Sequence, residues 1–513
     1  MKNKKTTTMK KTINLLSILV FLSNFTFGQV KDLNKILNID TNFTAFHQYN
    51  IYQKDFFYLT RFLEDTHPNI YNTLSKEEMN SLKSDIFDKL KNADKNIFRK
   101  WISFYTAQIN DGHTFVAVSS SNRKRFQIEY KFINDTLYIS NITKEYQKNK
   151  LFGRRVLKIN GKNVSVLYNE YSKLIGGNTI EKQQDFAYFI TRPKYFELLG
   201  FKSDTLFLVS ENNHKKQTDT LIAVNKYPKY IVKKNDHSLF RYEILNDSIC
   251  YFKYNECYDI QTLHAFGKEE DSAFWRFLKN IVWRFRGGNF KKFLAKMFKE
   301  MDKKDIHHLI VDLSDNRGGS SILGDQFLYY LTDNSNIKSY SAKIKLSPLF
   351  KFHHPEYVIE VAKEYNVDTT KLPQLISRRD SSDYFDFFKD KDGGFYMHEP
   401  QKYTGKLYLI IGNKTFSSAT ILATMIKDNH LAKLIIGSPM SLSPSHFGEI
   451  VYFDLPNTGA WGYCSTKQFI RPDKTNTEDN IYPDVEIYNS IDDLRNGENK
   501  PLEYLIKYIE KQK

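Results

Sequence analysis

A serine ahead of a helical pattern, a histidine in a glycine turn and a glycine pair after a strand are the residues of this chain suited to chemistry. The string Gly412-Asn413-Lys414-Thr415-Phe416-Ser417-Ser418-Ala419-Thr420 runs into Ile421, Leu422, Met425 and Ile426 at helical spacing, which places Ser417 near a helix N-terminus. Free backbone N–H groups and the positive end of the helix dipole there favour the alkoxide and oxyanion of an acyl-transfer reaction. An N-cap serine is the common alternative at such a position. In Ser314-Asp315-Asn316-Arg317-Gly318-Gly319-Ser320-Ser321 the paired glycines let backbone N–H groups approach a ligand, so Gly318 or Gly319 with the N–H of Ser418 could form an oxyanion hole. A hydroxyl nucleophile needs a base, and His113 in Asp111-Gly112-His113-Thr114 is the candidate. His307, His308 and His446 compete for that role.

These strings need elements that position them. Leu309 to Leu313 and Leu407 to Ile411 read as buried strands, and Phe290, Phe293, Leu294, Met297, Phe298 and Met301 as an amphipathic helix. This is a βαβ pattern with parallel strands, in which ligands bind beyond the carboxyl ends of the strands. Both candidate loops lie there. Before it, Phe126, Ile128, Tyr130 and Phe132 alternate with polar residues, Asn134-Asp135 turns the chain, and Asn160-Gly161 marks a second turn, so residues 121–236 read as a β-rich module. Residues 29–120 are helical in pattern, with the capping box Ser75-Lys76-Glu77-Glu78 ahead of Met79, Leu82, Ile86 and Leu90.

The 513 residues carry 41% apolar and 15% aromatic side chains, enough for several cores and incompatible with a collagen-like, coiled-coil or disordered chain. Lys2, Lys4, Lys5, Lys10 and Lys11 precede an apolar stretch from Ile13 to Phe27 that reads as a secretory signal peptide, cut after Gly28. The chain is therefore expected to be exported, periplasmic or extracellular, with no stable membrane anchor. Removing the five leader lysines leaves a formal charge of +11 out of +16. The remaining cations are scattered in short groups without interleaved stacking aromatics, so no nucleic-acid partner is expected. Cys250, Cys257 and Cys464 are too few for a disulfide scaffold and lack zinc-ligand spacing. No metal or organic cofactor is implied.

Taken in order, "DGHT", "LIVDLSDNRGG" and "NKTFSSATILATMIKDN", followed by "NIYPDVEI", resemble the tail-specific or C-terminal-processing serine proteases, in the branch of the tricorn core. The resemblance implies a multidomain α+β protein: an N-terminal helical bundle, a PDZ-like β module ending near "GRRVLKINGKNV", a ClpP/crotonase-like α/β catalytic domain over 237–490 and a C-terminal helix over 491–513. It places the nucleophile on Ser417, three residues before Thr420, where relatives often carry Glu. The Ser/Lys branch has its lysine in a glycine-rich string beyond the nucleophile. Gly437-Ser438-Pro439-Met440-Ser441-Leu442-Ser443-Pro444 has none, so the resemblance favours a Ser/His mechanism. In that branch a carboxylate near the Pro-Asp segment orients the histidine indirectly; Glu478 is the nearest match, with Asp473 and Asp479 as alternatives. Gly112 stands where some relatives place a serine that relays the proton.

The expectation is an exported serine endopeptidase acting on a peptide or unfolded protein, with Ser417 as nucleophile, His113 as base, Glu478 as orienter and Gly318, Gly319 and Ser418 at the oxyanion. The departures at Thr420 and Gly112 motivate a second reading, a catalytically weak or inactive peptide-binding protein on the same scaffold. A third is an acyl-transfer or acyl-thioester enzyme, for which no nucleotide-binding groove is marked.

Overall fold

The computed structural model describes residues 36–37, 44–118, 122–147, 149–201, 204–232, 236, 238–265, 288–333, 337–378, 384–391 and 395–512. The leader and its cleavage point lie outside them.

Continuous apolar runs build the sheet that carries the candidate loops. Its strand order is Val485–Glu486, Ala432–Gly437, Lys406–Ile411, His308–Asp312, Ile249–Tyr254 and Phe240–Leu245. All neighbours are parallel except the last pair, an antiparallel hairpin. Cys250, Phe252, Leu309, Val311, Leu407 and Leu409 face one layer, packed with the helices Phe290–Lys303, Ser321–Leu331 and Ser418–Asp428. The alternate residues Ile249, Tyr251, Ile310, Tyr408 and Ile410 meet Leu505 and Ile509 of the helix Lys500–Glu510 on the other side. Strands covered on both faces read as continuous apolar runs, as these do.

A second, antiparallel sheet joins distant parts of the chain. The strand Ala460–Ile470 pairs with Phe115–Val118, Ser341–Leu346 and His446–Asp454, and Gln374–Arg378 pairs with Ser341–Leu346. The N-terminal helices Ile51–Thr66, Lys76–Lys89 and Lys95–Ala107 do not close a core among themselves. They share one with this sheet, in which Phe56, Phe62, Ile86, Phe98 and Ile102 pack with Ile344, Leu346, Val451 and Phe453. Each helix starts at a side-chain cap, at Asn50, Ser75 and Asp94, and the first two are full capping boxes.

The β-rich module is an antiparallel sheet in the order Ile128–Ile133, Thr136–Ile142, Arg155–Ile159, Thr205–Asn212, Lys215–Ile222. Asn134 and Asp135 both have positive φ, 46° and 58°, the mirror-type turn whose twist matches a hairpin. The helices Val164–Ser172 and Thr179–Phe189 cover its core. The sequence pattern does not mark the second of these helices. Cys250, Cys257 and Cys464 are buried free thiols.

Candidate active site

Adjacent parallel strands release their loops side by side. Ile310 is in register with Tyr408, so the loop after Asp312 and the loop after Ile411 emerge together. Buried Asn316 joins them: its carbonyl takes the Phe416 N–H at 3.0 Å, and its Oδ1 takes the Gly318 N–H at 2.8 Å. A Cβ on Gly318 would lie 2.7 Å from both the Phe416 carbonyl and the Ser417 Cβ, so only glycine allows this approach. Ser417 itself has φ 54° and ψ −126°, a conformation that costs a non-glycine residue about 1–3 kcal/mol. The strain turns its side chain at the junction of loop and helix, and the helix Ser418–Asp428 starts at the next residue.

His113 meets this serine from the other sheet. Its Nε2 lies 3.1 Å from the Ser417 Oγ, and its ring stacks on Phe416 with centroids 4.7 Å apart. Nδ1 faces the backbone of Phe447 without closing a well-formed hydrogen bond. Burial pushes the imidazole below its ordinary value, and the Asp111 charge and the Phe447 backbone pull it part of the way back. The ring is therefore neutral at pH 7, the form that accepts a proton.

Behind the histidine, Asp111 is 3% exposed and accepts four hydrogen bonds. Oδ1 takes the His113 backbone N–H at 2.8 Å, and Oδ2 faces His67 Nε2 at 3.2 Å, Thr114 Oγ1 at 2.5 Å and Ser465 Oγ at 2.7 Å. His67 Nδ1 accepts the Asn69 N–H, so its proton sits on Nε2 and points at Asp111. Burial by itself raises a carboxyl; the bonds and charges of His67, His113 and Ser465 outweigh it and hold Asp111 well below the carboxylate range. Ser465 lies on the long strand, so the network ties the histidine turn to it.

The sequence-derived oxyanion donors divide. The Gly318 N–H is spent on Asn316, whereas among the described residues the N–H groups of Gly319 and Ser418 have no acceptor. The Ser418 hydroxyl donates to the Gly319 carbonyl at 2.7 Å, fixing these two peptide units against each other.

Glu478 is not brought to His113. Its carboxylate pairs with Lys427 at 3.0 Å, near the C-terminal end of the helix that begins after Ser417. At 1.5 Å per residue those ends are about 15 Å apart. Asp473 and Asp479 lie on the same outer loop, bound to Thr475 and Tyr482. Arg471 holds that loop away from the histidine by gripping Asp428 through two nitrogens and the Glu478 carbonyl through a third. Asp111 is thus the carboxylate on the histidine turn, where the sequence expectation has Glu478.

Of the competing histidines, His307 pairs with exposed Asp305 and His308 faces the Tyr408 hydroxyl. His446 starts the strand His446–Asp454; its ring is 6.1 Å from that of His113, its Nδ1 donates to the carbonyls of Ser443 and Pro444, and burial pushes it down to about 4.

Gly112 has a structural reason. A Cβ there would fall 2.2 Å from a carboxyl oxygen of Glu181, and one on Gly177 would fall 2.0 Å from the same group. The helix Thr179–Phe189 of the β-rich module thus places a carboxyl beside the histidine turn, in the space a residue 112 side chain would fill. Burial raises Glu181 well above the usual range, Asp185 and Asp111 add to this, and among the described residues Oε2 has no partner. The roles of Asp111, His67, Ser465, Asn316 and Glu181 escape the sequence reading. Only Asp111 carried a local signal, the Asp-x-His spacing of an Asx turn.

Residues 276–487 match the family described as Peptidase family S41. Among solved structures, mature CPAF complexed with lactacystin aligns with a TM-score of 0.60 at 14% identity, covering 89% of this chain and 98% of that one. Mature CPAF alone aligns at 0.58 and 13% identity, with coverages of 87% and 94%. The photosystem II D1 C-terminal processing protease aligns at 0.42 and 11% identity over 86% and 94%. The CPAF alignments show a shared fold. No curated protein matches the sequence.

Proposed function

We propose, from the match of residues 276–487 to Peptidase family S41, that this chain is a serine-type peptidase of the tail-specific kind and an exported endopeptidase working through Ser417 and His113. The carrying observation is the 3.1 Å approach of His113 Nε2 to the Ser417 Oγ. Ser417 Oγ attacks a peptide carbonyl carbon while His113 Nε2 takes the hydroxyl proton. The carbonyl oxygen becomes an oxyanion held by the N–H groups of Gly319 and Ser418. Collapse breaks the C–N bond, and His113 returns its proton to the leaving amine. A water then attacks the acyl ester, with His113 again as base, and restores the serine. During each proton transfer the imidazolium gains from the Asp111 carboxylate, which also fixes the turn through the His113 backbone.

The β-rich module is assigned a PDZ-like role, presenting an extended peptide by strand addition, and the catalytic domain a ClpP/crotonase-like fold. The basic leader with its short apolar stretch supports a periplasmic or extracellular setting. Among the described residues no helix is long and apolar enough to cross a membrane.

Fluorophosphonate labelling with peptide mapping tests the assignment. A single adduct on Ser417 that is lost in His113→Ala supports it. Unchanged peptidase activity in Ser417→Ala would overturn it.

A further inference from the structure

Between the β-rich module and the two active-site loops lies a cavity of about 590 Å³, within the range of ligand sites. Arg317 and Lys414 of its wall belong to the loops of Gly318 and Ser417, so the cavity adjoins the nucleophile. The facing wall carries Arg125, Lys131 and Arg192. Lys414 is paired with Asp315 at 2.9 Å. Among the described residues none of the other four cations closes an ion pair: Arg125 and Arg192 lie over the rings of Tyr227 and Tyr188, and Arg317 reaches the Gln184 Oε1 at 3.5 Å with the Asp185 carboxyl as an opposing charge. The single carboxylate among the lining residues, Glu129, is engaged by Asn141.

Three donors of the wall have no acceptor among the described residues. Tyr130 is 7% exposed, and among the described residues its hydroxyl, the buried Gln184 amide nitrogen and the buried Arg192 Nε have no partner. Unmet buried donors beside a cation are costly unless a ligand supplies acceptors. Burial, with the Lys414 charge added, pushes the Lys131 ammonium down to about 8 against the pull of Asp315.

We propose that this cavity is a substrate subsite for an acidic peptide segment, one that brings more than one side-chain carboxylate. The inference rests on the reading that peptides are cleaved at Ser417, and it adds a charge class to them. One chain-terminal carboxylate would meet one of the three cations Arg125, Lys131 and Arg192, so the surplus favours acidic side chains over a terminus. A bound carboxylate beside Lys131 and Arg192 also accepts from the Tyr130 hydroxyl and the Gln184 amide.

The test uses the full chain with Ser417→Ala and four fluorescein-labelled decapeptides, alternating Glu-Ala or Gln-Ala, each with a free or an amidated C-terminus. By fluorescence anisotropy the Glu peptides should bind at least about tenfold tighter than the Gln peptides, whether amidated or not, and the preference should shrink with added salt. Lys131→Gln and Arg192→Gln should each remove about tenfold from the Glu peptides alone, and Lys131→Arg should retain binding. Equal binding of Glu and Gln peptides, or a preference untouched in both Gln variants, overturns the proposal. A preference that disappears on amidation overturns it in favour of a terminal carboxylate. Fluorophosphonate labelling of the unsubstituted chain runs in parallel: its failure would remove the hydrolytic reading, while a Glu preference lost in Lys131→Gln would still support the acidic subsite.

Discussion

The Asp111 carboxylate accepts the backbone N–H of His113 at 2.8 Å, so the histidine is positioned through its main chain and not through its ring. The same carboxylate is anchored by His67, Thr114 and Ser465. Asp111→Asn keeps the shape but replaces one acceptor oxygen by a donor and removes the charge that raises the His113 pKa. The expected result is a fall of about 10- to 100-fold in kcat/KM at neutral pH. The acidic limb of the profile, where His113 becomes protonated, already lies below 6.5 because burial lowers the imidazole. It should move further to acid in the variant. A pH–rate profile of both proteins checks it, and an unmoved limb would refute the electrostatic coupling.

Asp111 also has a stability signature. Its folded pKa is depressed, so its contribution is fully present above the unfolded value of about 4 and is lost as pH falls through the lower folded value. Thermal unfolding of the parent and Asp111→Asn, followed from pH 7 downward, should converge as the parent loses this term.

Glu181 behaves in the opposite sense. Its folded pKa is raised, chiefly by burial, so the folded state favours the acid form and stability declines as pH rises from about 4 through the folded value. Glu181→Gln mimics the neutral acid. It should raise Tm at pH 7 and above and flatten the dependence of Tm on pH; a lower Tm throughout that range would show that the ionised carboxylate is the docked form.

Gly112→Ser should destabilise the chain by about 1 kcal/mol, because the new Cβ, at 2.2 and 2.3 Å from the Glu181 carboxyl oxygens, forces that side-chain end to turn aside. Glu181→Ala in the same chain should recover most of that loss, giving a coupling energy in a double-mutant cycle. Additive losses would place the strain elsewhere.

Asn316→Ala removes the acceptor of the Gly318 N–H and leaves the Phe416 N–H bond to the residue 316 carbonyl in place. With the glycine pair less fixed, kcat should fall by about 10- to 100-fold while KM changes little, since the loss is felt at the oxyanion. Steady-state kinetics on one peptide separates the two parameters.

The local elements were legible because their signals are local. Ser75 and Glu78 close a capping box, Asn134-Asp135 turns the hairpin, and the apolar runs at 308–312 and 406–411 are buried strands. The Ser417 junction and the glycine pair followed from the same strand-loop-helix pattern. Sequence order also led to the S41 resemblance, which the family match over 276–487 supports. What the sequence could not assign were relationships carried by long-range packing. His113 reaches Ser417 across 304 residues because the strand after its turn pairs with Ala460–Ile470. The carboxylate beside that histidine is Asp111 and not Glu478 because Arg471 folds the outer loop onto the far end of a helix, a placement set by a buried ion pair. Which glycine N–H stays free was decided by the single side chain of Asn316, and the meaning of Gly112 by a carboxyl from another sheet's helix. Periodicity and turn chemistry act over a few residues and can be read along a chain, whereas burial, desolvation and ion pairing exist only after distant segments have closed on one another.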